Sequence, residues 1–119
     1  MALDTYNFEK GLLETPVDSQ LTSDAATAAL QVSTDGCVLH SLIVSSDLGT
    51  LQWLQIHDLA TTPANGAVPL ICIPIPVNGH AVLDFPIALQ NGCYVCNSTT
   101  HDTKTLGAAN CLVIANIAE

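Results

Sequence analysis

The chain has 119 residues, room for one domain with one hydrophobic core; 49% of them are apolar and only 11% charged, where an ordinary soluble protein carries roughly 25% charge. Eleven acidic residues against Lys10 and Lys104 give a formal charge of −9, which excludes the phosphate neutralisation that nucleic-acid binding requires. No run approaches the roughly 20 apolar residues of a membrane helix, and "MALDTYNFEK" lacks the regions of an export signal, so a mean hydropathy of +0.41 points to apolar surface hidden against protein.

Residues 1–26 hold Asp4, Glu9, Glu14, Asp18 and Asp24 and show no clean period of 2 or 3.6, which reads as an extended N-terminal arm. Leu3, Tyr6, Phe8, Leu12 and Leu13 are too many apolar residues for a solvated tail, so the arm is expected to grip a partner surface. From residue 27 to 119 the chain becomes rich in Val, Ile, Leu and Thr, in short runs broken by Asp35-Gly36, Asp47 to Gly49, Pro63 to Gly66, Asn78-Gly79, Asn91-Gly92 and Gly107. That rhythm predicts one all-β domain, an antiparallel β-sandwich that is jelly-roll-like. The expected strands are 27–33, 37–45, 51–58, 70–77, 80–85, 92–99 and 111–117, with a short eighth at 86–90. "SDAATAALQV" is also compatible with a short helix capped by Ser23 or Asp24.

Asn78-Gly79 suits a type I′ hairpin pairing Val77 with His80, Ile75 with Val82 and Ile73 with Asp84. Pro74 and Pro76 would then mark residues 70–77 as an edge strand, and Pro86 would end the ladder. In "CVLHSLIVS", strict alternation puts Val38, His40, Leu42 and Val44 on one face and Cys37, Leu39 and Ile43 on the other. "CLVIANI" is likewise apolar on both faces. Strands of this kind need cover on the outside of the sheet, and neighbouring subunits are the expected cover.

"GCYVCNSTTHDTKT" invites a metal reading through Cys93, Cys96, His101 and Asp102. Residues three apart on a strand point to opposite faces, about 10 Å apart, and Tyr94 and Val95 between the cysteines favour extended chain. No metal or cofactor is therefore expected, and His101 reads as loop surface. Five cysteines without an export signal fit buried thiols in a reducing compartment, and Asn97-Ser98-Thr99 reads as a chance sequon. His57-Asp58 reads as a half-exposed histidine followed by an aspartate opening a loop. Cys93 or Cys37 with His40 or His101 lacks anything to activate a thiolate, so no enzyme is expected. Trp53 reads as a core or interface anchor rather than a ligand platform.

Taken as an ensemble, "HDLATTPANGAVP", the region ending in "LDFPIALQNG", the strand end "CNSTT" and "KTLGAANC" resemble a family of small β-sandwich virion proteins of tailed bacteriophages, from about Gly36 to Ala118. The resemblance implies a virion structural component, of the capsid decoration or cement type or a module of a head or tail fibre; the leading expectation is a non-enzymatic capsid decoration protein made in the host cytoplasm. It would assemble as a homotrimer on the capsid exterior and bind the major capsid protein. A receptor- or glycan-binding module of a head fibre or tail, using loops 60–68 and 99–108, is the alternative.

Overall fold

The computed structural model describes residues 17, 19–23 and 25–118. Nine strands form among them: β1 (Ser19–Thr22), β2 (Ala29–Ser33), β3 (Cys37–Ser46), β4 (Gln52–His57), β5 (Ile71–Ile75), β6 (His80–Leu83), β7 (Ile87–Leu89), β8 (Cys93–Ser98) and β9 (Cys111–Ala118). One sheet has the order β1-β9-β3-β6, with β7 also on β3, and the other has the order β2-β8-β4-β5. Every pairing is antiparallel.

β6 and β7 pair with successive halves of β3 and are separated by Asp84, Phe85 and Pro86, so they act as one interrupted strand. The break falls where Pro86 withholds an N–H. With β6 and β7 counted together, β1 pairs with β9, β2 with β8, β3 with β6/β7 and β4 with β5. This nested hairpin, rolled so that β9 also meets β3 and β8 also meets β4, is the jelly roll. Leu39, Leu42, Leu54, Ile56 and Ile117 fill the space between the sheets, each at most 1% exposed.

Ser19–Thr22, inside the segment read as an arm, form edge strand β1 on β9. Leu3, Tyr6, Phe8, Leu12 and Leu13 lie outside the described residues. The segment open to a helical reading is strand at Ala29–Ser33, where Leu30 and Val32 pack towards the core.

The hairpin expected at Asn78-Gly79 does not form. Asn78 has a φ of 47°, but Gly79 is not in the positive region, so the turn is not type I′. Gly79 N–H bonds Pro76 O at 3.1 Å, Asn78 N–H bonds Leu48 O at 3.0 Å, and β6 joins β3 in the opposite sheet from β5. Prolines at 74 and 76 leave β5 a continuous row of donors on at most one side, and β4 pairs with it; β3, ten residues long, offers β6 a full ladder. The edge position of β5 is as expected.

β3 does not alternate strictly either. Leu39 faces Ile117 and Ser41 faces Asn116, so His40 is the extra residue of a β-bulge. Beyond it the faces exchange, and Cys37, Leu39, Leu42 and Val44 all join the core.

Candidate functional site

The two outer faces of the sandwich differ. On the β2-β8-β4-β5 sheet, register places Cys72, Gln55 and Cys96 in one outward row and His57 beside Tyr94 in the next. These outward positions are nevertheless closed, since Gln55, His57 and Cys96 are at most 1% exposed. The chain's own loops are the cover on this sheet.

Residues 99–106 wrap around two side chains. Gln55 Nε2 donates to the carbonyls of Thr100 (3.0 Å), His101 (3.1 Å) and Thr103 (3.1 Å). Ser98 Oγ accepts from the N–H groups of Thr100 (3.1 Å) and Thr105 (3.0 Å) and donates to Thr100 O at 2.8 Å. The loop before β5 is stitched to this one: Gly66 N–H bonds Lys104 O at 2.7 Å and Lys104 N–H bonds Ala67 O at 2.8 Å. The Lys104 ammonium, 4% exposed, donates to Pro63 O.

Because the Gln55 amide nitrogen serves three carbonyls, its Oε1 is the acceptor left for His57, whose Nε2 lies 3.1 Å away. His57 therefore carries its proton on Nε2, and its Nδ1 is buried without a hydrogen-bond partner among the described residues. Burial, then the Lys104 charge, lowers the His57 pKa and keeps the ring neutral. The half-exposed histidine read from the sequence is thus a buried one, although Asp58 does open the loop and accepts from Asn91 N–H at 2.8 Å.

The residues of the apparent metal motif are dispersed. Cys93 faces the core and Cys96 faces the loops, on opposite sides of β8 as the spacing requires. His101 and Asp102 are loop surface, with 56% and 90% of their side chains exposed. Among the described residues, no three His, Cys, Asp or Glu side chains converge on a common point. Burial pushes the Cys96 thiol up to about 11 against the opposing pull of Lys104. The side chain that perturbs Cys93 is Cys37, across the sandwich, and not a histidine. Asn97, the sequon asparagine, is 3% exposed and donates to Ala108 O at 2.9 Å. Trp53 is half-buried, its ring edge-on to His101 with centroids 4.7 Å apart.

Among the described residues, none covers the outer face of the β1-β9-β3-β6 sheet. Its central row runs Val82–Ile43–Ile114–Thr22, and the next runs His80–Ser45–Leu112. Val82 and Leu112 are 52% and 51% exposed, Ile43 43% and Ile114 38%. Beside them Gln20 Nε2 donates to Asn116 Oδ1 and Asn116 Nδ2 to Ser41 Oγ, each at 2.8 Å. None of these residues is a carboxylate, lysine or arginine; Asp47 and Asp84 stand just beyond the ends of β3 and β6. An apolar centre without charge and an acidic rim is the composition of a protein-contact surface.

No family model, curated protein or solved structure matches this chain.

Proposed function

We propose that the protein is a non-enzymatic structural component of a phage virion, a capsid decoration protein that cements the shell by bridging capsid subunits. The observation that carries this reading is the contrast between the two faces. One sheet is closed by the chain's own loops, whereas the other leaves Val82, Ile43, Ile114 and Leu112 open on an uncharged surface.

Fully burying an aliphatic side chain is worth about 1.5–3 kcal/mol, so covering four half-exposed ones gives a gross term of about 4 kcal/mol per copy. That is weak for a single site once binding costs are subtracted, and strong when repeated over a lattice of copies. Repetition is how a small cement protein resists the pressure of packaged DNA. The acidic rim favours a partner with neutral or basic groups around its own apolar centre, as the major capsid protein would provide. Homotrimeric assembly and attachment through the arm residues Leu3, Tyr6, Phe8, Leu12 and Leu13 belong to the same proposal.

Imaging virions labelled on this chain tests the location. Many symmetric copies over the shell support decoration; a few copies at the tail support the receptor- or glycan-binding alternative. That alternative draws on one feature, a shallow groove of about 390 Å³ between Val68, Pro69, Leu70, Cys72, His101 and Asp102 at the stitched loops.

A further inference from the structure

Two crossings carry the chain between the sheets at the same corner of the sandwich. Residues 34–36 lead from β2 to β3, and residues 90–92 lead from β7 to β8. Register ties the crossings together at both ends, since Ser33 faces Cys93 in one sheet and Cys37 faces Leu89 in the other. Between them the two linkers touch: a Cβ on Gly36 would stand 2.9 Å from Gln90 O. Cys37 and Cys93 are therefore the first strand residues after adjacent crossings, in opposite sheets, and both point into the core.

We infer that Cys37 and Cys93 are a latent inter-sheet disulfide, reduced when the chain is made and closed by a small-molecule disulfide oxidant once it leaves a reducing compartment. The inference is independent of the virion reading. The neighbouring Cys37 side chain and burial together push the Cys93 thiol up. No other cysteine is placed this way. Cys72 and Cys96 stand two strands apart with Gln55 between them, and Cys111 faces Ser46 at the far end of β3 from Cys37.

The chemistry is one thiol–disulfide exchange followed by another. Cys37, 7% exposed against 0% for Cys93, is the sulfur an oxidant reaches first. Its thiolate attacks the oxidant disulfide, forming a mixed disulfide and releasing one small thiolate, which takes up the proton lost by Cys37. Cys93 then loses its proton and attacks the Cys37 sulfur, expelling the second small thiol. The protein loses two hydrogens, and the oxidant gains them as two thiols. Because both sulfurs are buried in the core, exchange is slow until the corner opens.

The test is to refold the reduced, denatured full chain in a mixture of reduced and oxidised glutathione, where burial no longer limits access. Non-reducing peptide mapping should find Cys37 joined to Cys93, the intact chain lighter by two hydrogens and the other three cysteines free. The cross-linked protein should melt on the order of 10 °C higher than the reduced form, because the bond closes a long loop. Cys93→Ala should lose both the link and the shift, and Cys111→Ala should keep both. Cys37 and Cys93 recovered as thiols, joined to other cysteines, or joined to each other without a rise in Tm would overturn the inference.

Discussion

Replacing Gln55 with leucine removes the side chain around which the cover of one sheet is built. Its volume is nearly conserved, so the loss is polar. Three carbonyls, those of Thr100, His101 and Thr103, lose their donor, and His57 Nε2 loses its acceptor. The carbonyls belong to a surface loop and water can replace the amide there, at a net cost of about 0.5–1 kcal/mol each. The His57 N–H is sealed in, and an unsatisfied buried donor costs about 1–3 kcal/mol. Changing tautomer does not rescue it, because Nδ1 is also buried and has no partner among the described residues. The expected loss is about 3–5 kcal/mol from a stability of 5–15 kcal/mol typical of such domains. Urea unfolding measures the total, and hydrogen exchange should show residues 99–106 opening before the rest. A Gln55→Leu protein within about 1 kcal/mol of the parent, with those amides still protected, would refute the assignment of Gln55 as the keystone of this cover.

His57 should give the protein a stability loss in mild acid. Its folded pKa lies below the unfolded value of 6.5, so the unfolded chain binds the proton first; its contribution is complete above 6.5 and falls as pH drops towards the folded pKa, by at most about 1.4 kcal/mol per pH unit. Comparing urea unfolding of parent and His57→Phe between pH 7.5 and pH 5, roughly the window in which an ordinary histidine titrates, should show a shallower slope in the variant, and equal slopes would contradict the neutral assignment. Gly92→Ala should cost about 2 kcal/mol or more, because a Cβ there would stand 2.7 Å from Leu59 O and Ala60 Cα and the φ of 155° disfavours a side chain; a melting temperature equal to the parent's would contradict the close approach.

The β-sandwich was legible because the turn residues and two-residue periods of an antiparallel domain are local, and each strand read from 27 onwards has a counterpart in the structure. Which strands pair was less legible. The type I′ reading of Asn78-Gly79 was locally sound, but whether an Asn-Gly turn closes a hairpin or rounds a corner depends on where β3 and β4 lie, which is tertiary information. The bulge at His40 was equally hidden, since one inserted residue exchanges the faces of β3 and makes a one-sided strand look apolar on both sides. β1 is only four residues long and lies in an aperiodic acidic stretch, so nothing local separates it from an arm.

The polar centre of the covered sheet could not be read because its members, Gln55, His57, Ser98 and Lys104, meet only after β4 and β8 pair and two loops fold back. A weak signal was present. Gln55 and His57 share a parity that places them with Trp53 on one face of their strand, opposite Leu54 and Ile56, so a buried strand with two polar residues on its outer side implied a cover able to satisfy them. The dismissal of the Cys93–Cys96 pair as a single site rested on strand geometry, and the two thiols do point to opposite faces. Missing from that reading was the partner across the sandwich, Cys37, which lies 56 positions earlier in the chain.

The central claim is that the open face of the β1-β9-β3-β6 sheet attaches the protein to a capsid. Val82 and Leu112 are its most exposed aliphatic residues, so Val82→Lys with Leu112→Lys should change stability by no more than about 1 kcal/mol while placing two desolvated charges in any contact. The decisive measurement is co-sedimentation of parent and double variant with shells of the major capsid protein prepared without this chain. The account predicts that the parent is retained at a fixed ratio to capsid protein, and that the variant, with an unchanged melting curve, stays in the supernatant. Equal retention of both, or no retention of the parent, would contradict it.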